Sequence, residues 1–339
     1  MVRVGIVGAG LRGCMYAGAL RDLPQVEVVA FAELSTTSAE AARVATGLPV
    51  VASHSDLLDG FDLDAVIVAT PDFAHRTPAV DVALAGKHLL VEKPLATNLD
   101  DAYAIRDAVE RGGATCLVGF ENRWNPHVLQ TRRTIESGAV GTHITSSATL
   151  SNSYYVPTTM LSWAAKSSPA WFLMPHTIDM LLWFSGRLPV AVSAIASSGI
   201  LKARGIDTVD VVHALIAFDD GTTASLTSAW TLPDGADAIV DFHFQFIGTE
   251  GSIAGDPIHQ GLDLVTDRRH AQGTLSGRIG NSQVGAPVWM AQEFASNLVS
   301  GMVTTPGVDQ GVLVTEVICA IEASFARGET IRLDDIRRI

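Results

Sequence analysis

A chain of 339 residues exceeds the usual reach of one hydrophobic core, so two domains are expected. With 47% hydrophobic and 17% charged residues the composition is that of a globular protein, and no apolar run is long enough to cross a membrane. A formal net charge of −13 without any basic run argues against nucleic acid or anionic lipid as the partner.

The opening stretch MVRVGIVGAG enters a strand-like pattern at once, leaving no room for a charged leader and cleavage site, which predicts a cytoplasmic protein. Over the first 120 or so residues, RVGIVGAG, VEVVAFAE, DAVIVAT, KHLLVEKP and TCLVGF read as strands buried on both faces. Amphipathic segments such as TSAEAARVATG and LDDAYAIRDAVERGG lie between them, and the alternation predicts a parallel sheet covered by helices on both sides. From about residue 140 the pattern changes. VVHALIAF, TTASLTSAW and IVDFHFQFIG are closely spaced and turn-bounded, as antiparallel strands are. In the last of them Val240, Phe242, Phe244 and Phe246 alternate with Asp241, His243 and Gln245, so one face packs on a core and the other is polar. PHTIDMLLWFSG precedes these strands as a helix, and DQGVLVTEVICAIEASFARG forms another near the end. No repeat, low-complexity tract or Ser- or Pro-rich linker interrupts the chain, so its two parts, 1–121 and 122–339, are expected to pack tightly. Cys14, Cys116 and Cys319 are far apart, odd in number and in no CxxC pair, and read as buried thiols. The scattered histidines predict no metal site.

In VGIVGAGLRG, Gly8, Gly10 and Gly13 follow the order G-x-G-x-x-G between a strand and a helix, and a second strand ends in Glu33 about twenty residues later. Gly8 permits the tight turn, Gly10 lets the backbone approach a pyrophosphate, and Gly13 allows close helix packing, with Leu11 and Arg12 in the same loop. The helix start presents free N–H groups to the anion. A carboxylate at Glu33 accepts hydrogen bonds from both ribose hydroxyls of NAD and repels the 2′-phosphate of NADP, so NAD is the expected cofactor. Arg12 is able to reach a phosphate, but it lies in the loop rather than after Glu33.

GIVGAGLRG, VIVATPDFAH (66–75), ALAGKHLLVEKPLA (83–96) and PHTIDMLLWFSG (175–186) together resemble the Gfo/Idh/MocA family, named for glucose-fructose oxidoreductase, inositol dehydrogenase and a rhizopine catabolism protein. The resemblance covers nearly the whole chain. It implies an α/β protein: an N-terminal Rossmann domain with a doubly wound parallel sheet, and a C-terminal α+β domain with a large, open-faced, mostly antiparallel sheet. It further implies oxidation or reduction of a carbinol carbon of a sugar, sugar acid, polyol or inositol. Pro94 restricts Lys93 to extended geometry at a strand's carboxyl end, where ligands of such sheets bind. A fixed lysine there hydrogen-bonds the reacting hydroxyl and stabilises its developing charge. By resemblance Glu92 sits beside the ribose or nicotinamide. Pro71 stops its strand at the cofactor, and Thr70, Asp72 and His75 line the nicotinamide-ribose side. His75 reads equally as a helix-start histidine with structural hydrogen bonds only.

His176 and Asp179 share a helix face, with Trp183 one turn later. The resemblance assigns His176 to proton transfer at the substrate. Relatives commonly carry an acid four positions before this histidine, and here Phe172 stands there. Asp179, Arg123, Tyr155, Trp163 and Lys166 are the candidate substrate contacts, the aromatic rings suiting the apolar face of a sugar and Lys166 a carboxylate or phosphate on it. Two other functions fit the same fold: a glycoside hydrolase that retains NAD through transient oxidation, and a non-catalytic sensor, against which Lys93 and His176 speak. The resemblance also implies a homodimer or homotetramer formed through the open sheet.

Overall fold

In β1 (Val2–Val7) every side chain from Val4 onward is buried, as a central parallel strand requires. It leads through α1 (Leu11–Arg21), β2 (Val26–Ala32), α2 (Thr36–Thr46), β3 (Val50–Val51), α3 (His54–Gly60), β4 (Ala65–Val68), α4 (Arg76–Leu84), β5 (His88–Glu92) and α5 (Leu99–Gly112) to β6 (Cys116–Gly119). These strands form one six-stranded parallel sheet in the order β3-β2-β1-β4-β5-β6. The order reverses between β1 and β4, and doubly wound sheets bind ligands at such a reversal, beyond the strands' carboxyl ends. Helix starts are set locally: Ser35 caps α2 and Asn98 caps α5, each side chain accepting a first-turn N–H.

The chain continues through α6 (Pro126–Glu136), β7 (His143–Ser153), α7 (Pro169–Phe172), α8 (Met174–Ser185), β8 (Pro189–Ser197), α9 (Ile200–Ala203), β9 (Val211–Phe218), β10 (Thr223–Leu232), β11 (Val240–Gly248) and β12 (Ser252–Gly255). Two short hairpins follow, β13 (Asp263–Val265) with β14 (His270–Gln272) and β15 (Gly277–Ile279) with β16 (Ser282–Val284). Then come α10 (Ala286–Ser300), α11 (Val308–Arg327), β17 (Ile331–Arg332) and α12 (Leu333–Ile336). This computed structural model describes residues 1–235, 239–258, 263–265, 270–272, 277–280 and 282–337. The second sheet runs β12-β11-β7-β10-β9-β8-β17, antiparallel except where β7 and β10 pair in parallel. Along β11 Phe242, Phe244 and Phe246 are buried while His243 and Gln245 are exposed. One face of the sheet is therefore open, and α8 packs on the other, burying Met174, Ile178, Leu181 and Leu182. Burial of such side chains stabilises by roughly 1.5–3 kcal/mol each. Among the described residues no helix is long and apolar enough to cross a membrane.

By contacts the chain divides into Met1–Glu121 with Ser276–Thr315, and Asn122–Leu275 with Glu316–Ile339. Residues 276–315 thus differ from the expected assignment of 122–339 to one domain. The physical reason is α10: it packs along α1, buries Met290, Ala291, Phe294 and Ala295, and donates from Gln292 Nε2 to the Ala19 carbonyl at 3.0 Å.

Candidate active site

In the first unit the glycine-rich turn is shaped by close approach. A Cβ on Gly13 would stand 2.0 Å from the Gly8 carbonyl oxygen, and Gly8 itself has φ +99° with the Ala69 carbonyl 2.6 Å from where its Cβ would be. Only glycine fits either position. A Cβ on Gly10 would meet nothing within 4 Å, so that backbone is open to approach. Gly10 caps α1 without a side chain, Leu11 beside it is 86% exposed, and the first-turn amides are left to an incoming anion. Glu33 closes one side of this cradle. Its Oε2 accepts the Ala9 N–H and its Oε1 the Ser35 N–H, both at 2.8 Å, which pins the carboxylate while leaving lone pairs for ribose hydroxyls.

At the ends of β4 and β5 the residues expected around the nicotinamide converge. Thr70 has its Oγ1 buried without a hydrogen-bond partner among the described residues. Pro71 is the turn residue that starts a short 3-10 helix, and Asp72, 4% exposed, accepts the Phe73 N–H. His75 is buried with both ring nitrogens at backbone carbonyls, Nδ1 2.7 Å from Pro94 O and Nε2 3.0 Å from Thr70 O, so the ring ties the two strand-end loops together. Lys93 is buried and joined to Pro94 by a cis bond. Burial lowers its pKa, and Glu121, Glu92 and Asp72 oppose that effect.

Two residues absent from the sequence-based expectation complete this cluster, Tyr16 and Glu121. Glu92 Oε1 accepts from the Tyr16 hydroxyl and lies 3.1 Å from Arg12 Nε, while Glu92 Oε2 accepts the Lys93 N–H at 3.1 Å. Glu121 Oε1 takes the other end of the Arg12 guanidinium at 3.2 Å. Burial first, then the Glu92 charge, raises the Tyr16 pKa, so the phenol stays protonated and donates. Arg12 is therefore engaged by two carboxylates. Their signal in sequence is modest: Arg12 and Tyr16 are one helical turn apart on α1, and Glu121 follows the strand that pairs with β5.

The second unit supplies different material. Ser168 caps α7 by accepting the Trp171 N–H, and Leu173 joins α7 to α8. Phe172 and His176, one turn apart, are the half-exposed positions in the otherwise buried run 167–182. The Phe172 ring lies 6.0 Å from that of Trp163, edge to face, and 5.6 Å from that of Trp230, which is fully buried. Where the family resemblance implies an acid, this chain has the centre of an aromatic trio. Asp179 is 1% exposed and held in a two-pronged pair by Arg123, Nε to Oδ2 at 2.8 Å and a terminal nitrogen to Oδ1 at 2.6 Å. Arg123 also stacks over Trp183 at 5.0 Å. Arg123 and Asp179 thus meet each other, in the geometry that makes arginine–carboxylate pairs strong. Tyr155 is 45% exposed with its N–H on Asp234, and Lys166 is exposed on a short 3-10 turn.

The donor set of the first unit fits a dinucleotide: an open Gly10 backbone, helix-start amides with no side-chain cap, a pinned Glu33 and a Thr70 hydroxyl without a partner among the described residues. Comparison with known proteins agrees. Residues 2–120 match the family described as an oxidoreductase family with an NAD-binding Rossmann fold, and residues 128–254 match the GFO/IDH/MocA C-terminal domain. An inositol 2-dehydrogenase of Rhizobium meliloti (strain 1021) is 29% identical over 259 residues, which is 75% of this chain and 76% of that protein. A levoglucosan dehydrogenase of Pseudarthrobacter phenanthrenivorans is 28% identical over 288 residues, 74% of this chain and 73% of its own. The crystal structure of scyllo-inositol dehydrogenase from Lactobacillus casei with bound NAD(H) and scyllo-inositol shares the fold, with a TM-score of 0.85 at 18% identity over 98% of this chain and 99% of that one. With the fingerprint, the EKP strand end and both matched domains in hand, the chain belongs to the Gfo/Idh/MocA family of NAD-binding oxidoreductases.

Proposed function

We propose that the protein transfers a hydride between NAD and a carbinol carbon of a sugar, sugar acid, polyol or inositol, with Lys93 hydrogen-bonded to the reacting oxygen and His176 exchanging its proton. The observation that carries this is Lys93: a buried lysine at the carboxyl end of β5, its backbone N–H fixed by Glu92 and its charge supported by three carboxylates. The substrate class is supported by the relatives, whose names specify inositol and levoglucosan, both polyhydroxylated rings. Gly8, Gly10, Leu11, Gly13, Glu33, Thr70 and Asp72 hold the cofactor, which when bound supplies the hydride acceptor or donor. Lys93 stabilises charge as it develops on the substrate oxygen, an effect typically worth about 10² to 10³ in rate. His176 stands half-exposed in the first turn of α8 and takes the hydroxyl proton. With Phe172 in the acid's place, the histidine works without the usual carboxylate neighbour at that position.

The open sheet face supports a homodimer or homotetramer: Ile195 on β8 and Leu215 on the adjacent β9 are 75% and 57% exposed. Light scattering at micromolar concentration should report an oligomer, and a monomer would contradict that assignment. Three thiols without a disulfide accord with a reducing, cytoplasmic setting. To test the activity, the purified protein is mixed with NAD and a panel of sugars, sugar acids, polyols and inositols while NADH absorbance is followed. Stoichiometric NADH with one class of ring is the expected outcome. Release of an aglycone from a glycoside with no net NADH would replace the proposal with the hydrolase function.

A further inference from the structure

A phenol hydroxyl taken wholly out of water needs a partner, and Tyr16, fully buried on α1, finds one in Glu92 at the end of β5. The contact spans 76 positions of sequence and runs from the helix of the glycine-rich cradle to the strand that leads into Lys93. Glu92 is 6% exposed, and both of its oxygens are held. Oε1 accepts from the Tyr16 hydroxyl and faces Arg12 Nε at 3.1 Å, while Oε2 accepts the Lys93 N–H at 3.1 Å. The neighbouring strand makes room for that second bond. Gly119 stands opposite Glu92 in the register of β5 and β6, and a Cβ on it would come within 3.2 Å of both Glu92 Oε2 and the Lys93 nitrogen.

The two donors on Oε1 differ in kind. Arg12 is partly exposed and divides its guanidinium between Glu92 and Glu121, whereas the Tyr16 ring is packed in the core and its hydroxyl is directed at Glu92. A side chain locked by packing holds a neighbour's geometry better than one that is shared and partly solvated. Through the two oxygens of one carboxylate, the phenol is thus a single residue removed from the main chain of the buried lysine.

We infer that Tyr16 is a positioning residue for Lys93: its hydroxyl fixes the Glu92 carboxylate, which fixes the Lys93 main chain, so that α1 places the lysine as well as facing the cofactor's phosphates. The consequence for turnover rests on the proposed role of Lys93. A displacement of about 1 Å at a reacting group costs about 10² in rate, and loss of one anchor among several is expected to cost about tenfold. The anchoring itself is measurable without cofactor or substrate. Protein carrying nitrogen-15 in its four lysines, Lys87, Lys93, Lys166 and Lys202, gives four backbone amide signals by NMR, and Lys93→Met identifies one by its loss. Tyr16→Phe, which removes only the hydroxyl and leaves Arg12 on Glu92, should move the Lys93 amide signal and speed its hydrogen exchange about tenfold while the other three stay. Para-aminophenylalanine in place of Tyr16 keeps a weaker donor at the ring's end and should restore part of both. In turnover, Tyr16→Phe should slow the hydride step about tenfold with NAD affinity held within about twofold. In a Glu92→Gln background the same change should add little, because the link through Glu92 is already broken. An unmoved Lys93 amide in Tyr16→Phe, equal movement of all four lysine amides, no restoration by the amino analogue, or full additivity with Glu92→Gln overturns the inference. If Tyr16→Phe does not fold, the para-aminophenylalanine protein compared with the parent decides it by the same Lys93 signal. A Lys93 amide that moves while the hydride step stays unchanged supports the anchoring and instead refutes the placing of Lys93 in the reaction.

Discussion

The two units handle buried charge in opposite ways. In the second, one guanidinium holds one carboxylate, both Asp179 oxygens facing both prongs of Arg123, and the rings of Trp163, Phe172 and Trp230 gather in the same unit. In the first, Arg12 and Lys93 are set among Glu92, Glu121 and Asp72, and no pair is closed off from the rest. A two-pronged pair of this kind fixes structure. An open network responds to any charge brought near it, which is what a site handling a hydride, a proton and a dinucleotide needs.

The sharpest way to break this contrast is to open the Arg123–Asp179 pair. Asp179→Ala leaves the Arg123 guanidinium, 14% exposed, without its carboxylate and should cost about 3 kcal/mol of stability, the lower end of the range for a fully buried pair. Denaturant unfolding that shows little change would mean that Asp179 is held for the substrate rather than for the fold. Next in size is Phe172→Asp, which returns an acid to the position four before His176 but removes a ring between two tryptophans. A loss of about 2 kcal/mol is expected in thermal unfolding, below the usual range for a fully buried phenylalanine because Phe172 is half-exposed. An unchanged melting temperature would show that the trio contributes no packing energy.

Smaller again is the effect of Glu33→Ala. With its carboxylate gone, NAD should bind roughly tenfold more weakly by calorimetry, the preference over NADP narrowing through loss of NAD affinity. Equal affinity of the unaltered protein for the two cofactors would contradict the assignment. The smallest effect concerns Glu322 on α11, whose carboxyl is raised by burial from the ordinary 4.5 to about 7 although the Trp171 indole donates to it. Since the folded-state value lies above the unfolded one, the group's contribution to stability is complete below about 4.5 and is lost as pH rises through about 7. Glu322 is partly exposed, so Glu322→Gln should gain only about 1 kcal/mol over the parent in mildly alkaline buffer, and nothing in acid. A gain of the same size at both ends of the range would rule out titration as its cause.

The cradle was legible in the sequence because its requirements fall on single residues: no other residue type suits Gly8 or Gly13, and a glutamate meant for a ribose must end the next strand, as Glu33 does beside the Ala9 N–H. EKP was legible for the same reason. Strand β7 was not, since HITSSATLSNS buries Ser146, Asn152 and Ser153 as well as Ala148 and Leu150 and so lacks the apolar alternation that marked β11. Periodicity also says nothing about which unit a helix joins, and α10 joined the first through Gln292 and an apolar stripe. The ion pairs were the least visible, with Arg12 and Glu121 separated by 109 positions and Arg123 and Asp179 by 56. Charge complementarity across such spans is set by strand order and helix packing, neither of which a local pattern encodes.

The central claim is that the charged cluster around Lys93 serves the reacting oxygen, and a comparison of the parent protein with Lys93→Met tests it most directly. Rapid-mixing measurement of NADH formation with a substrate found in the panel, at saturating NAD, isolates the hydride step, while calorimetry gives NAD affinity for both proteins. The account predicts unchanged fold and NAD affinity within a few-fold, with the hydride step slowed by about 10² to 10³. A Lys93→Met protein that binds NAD normally and transfers hydride at a near-parental rate would contradict it.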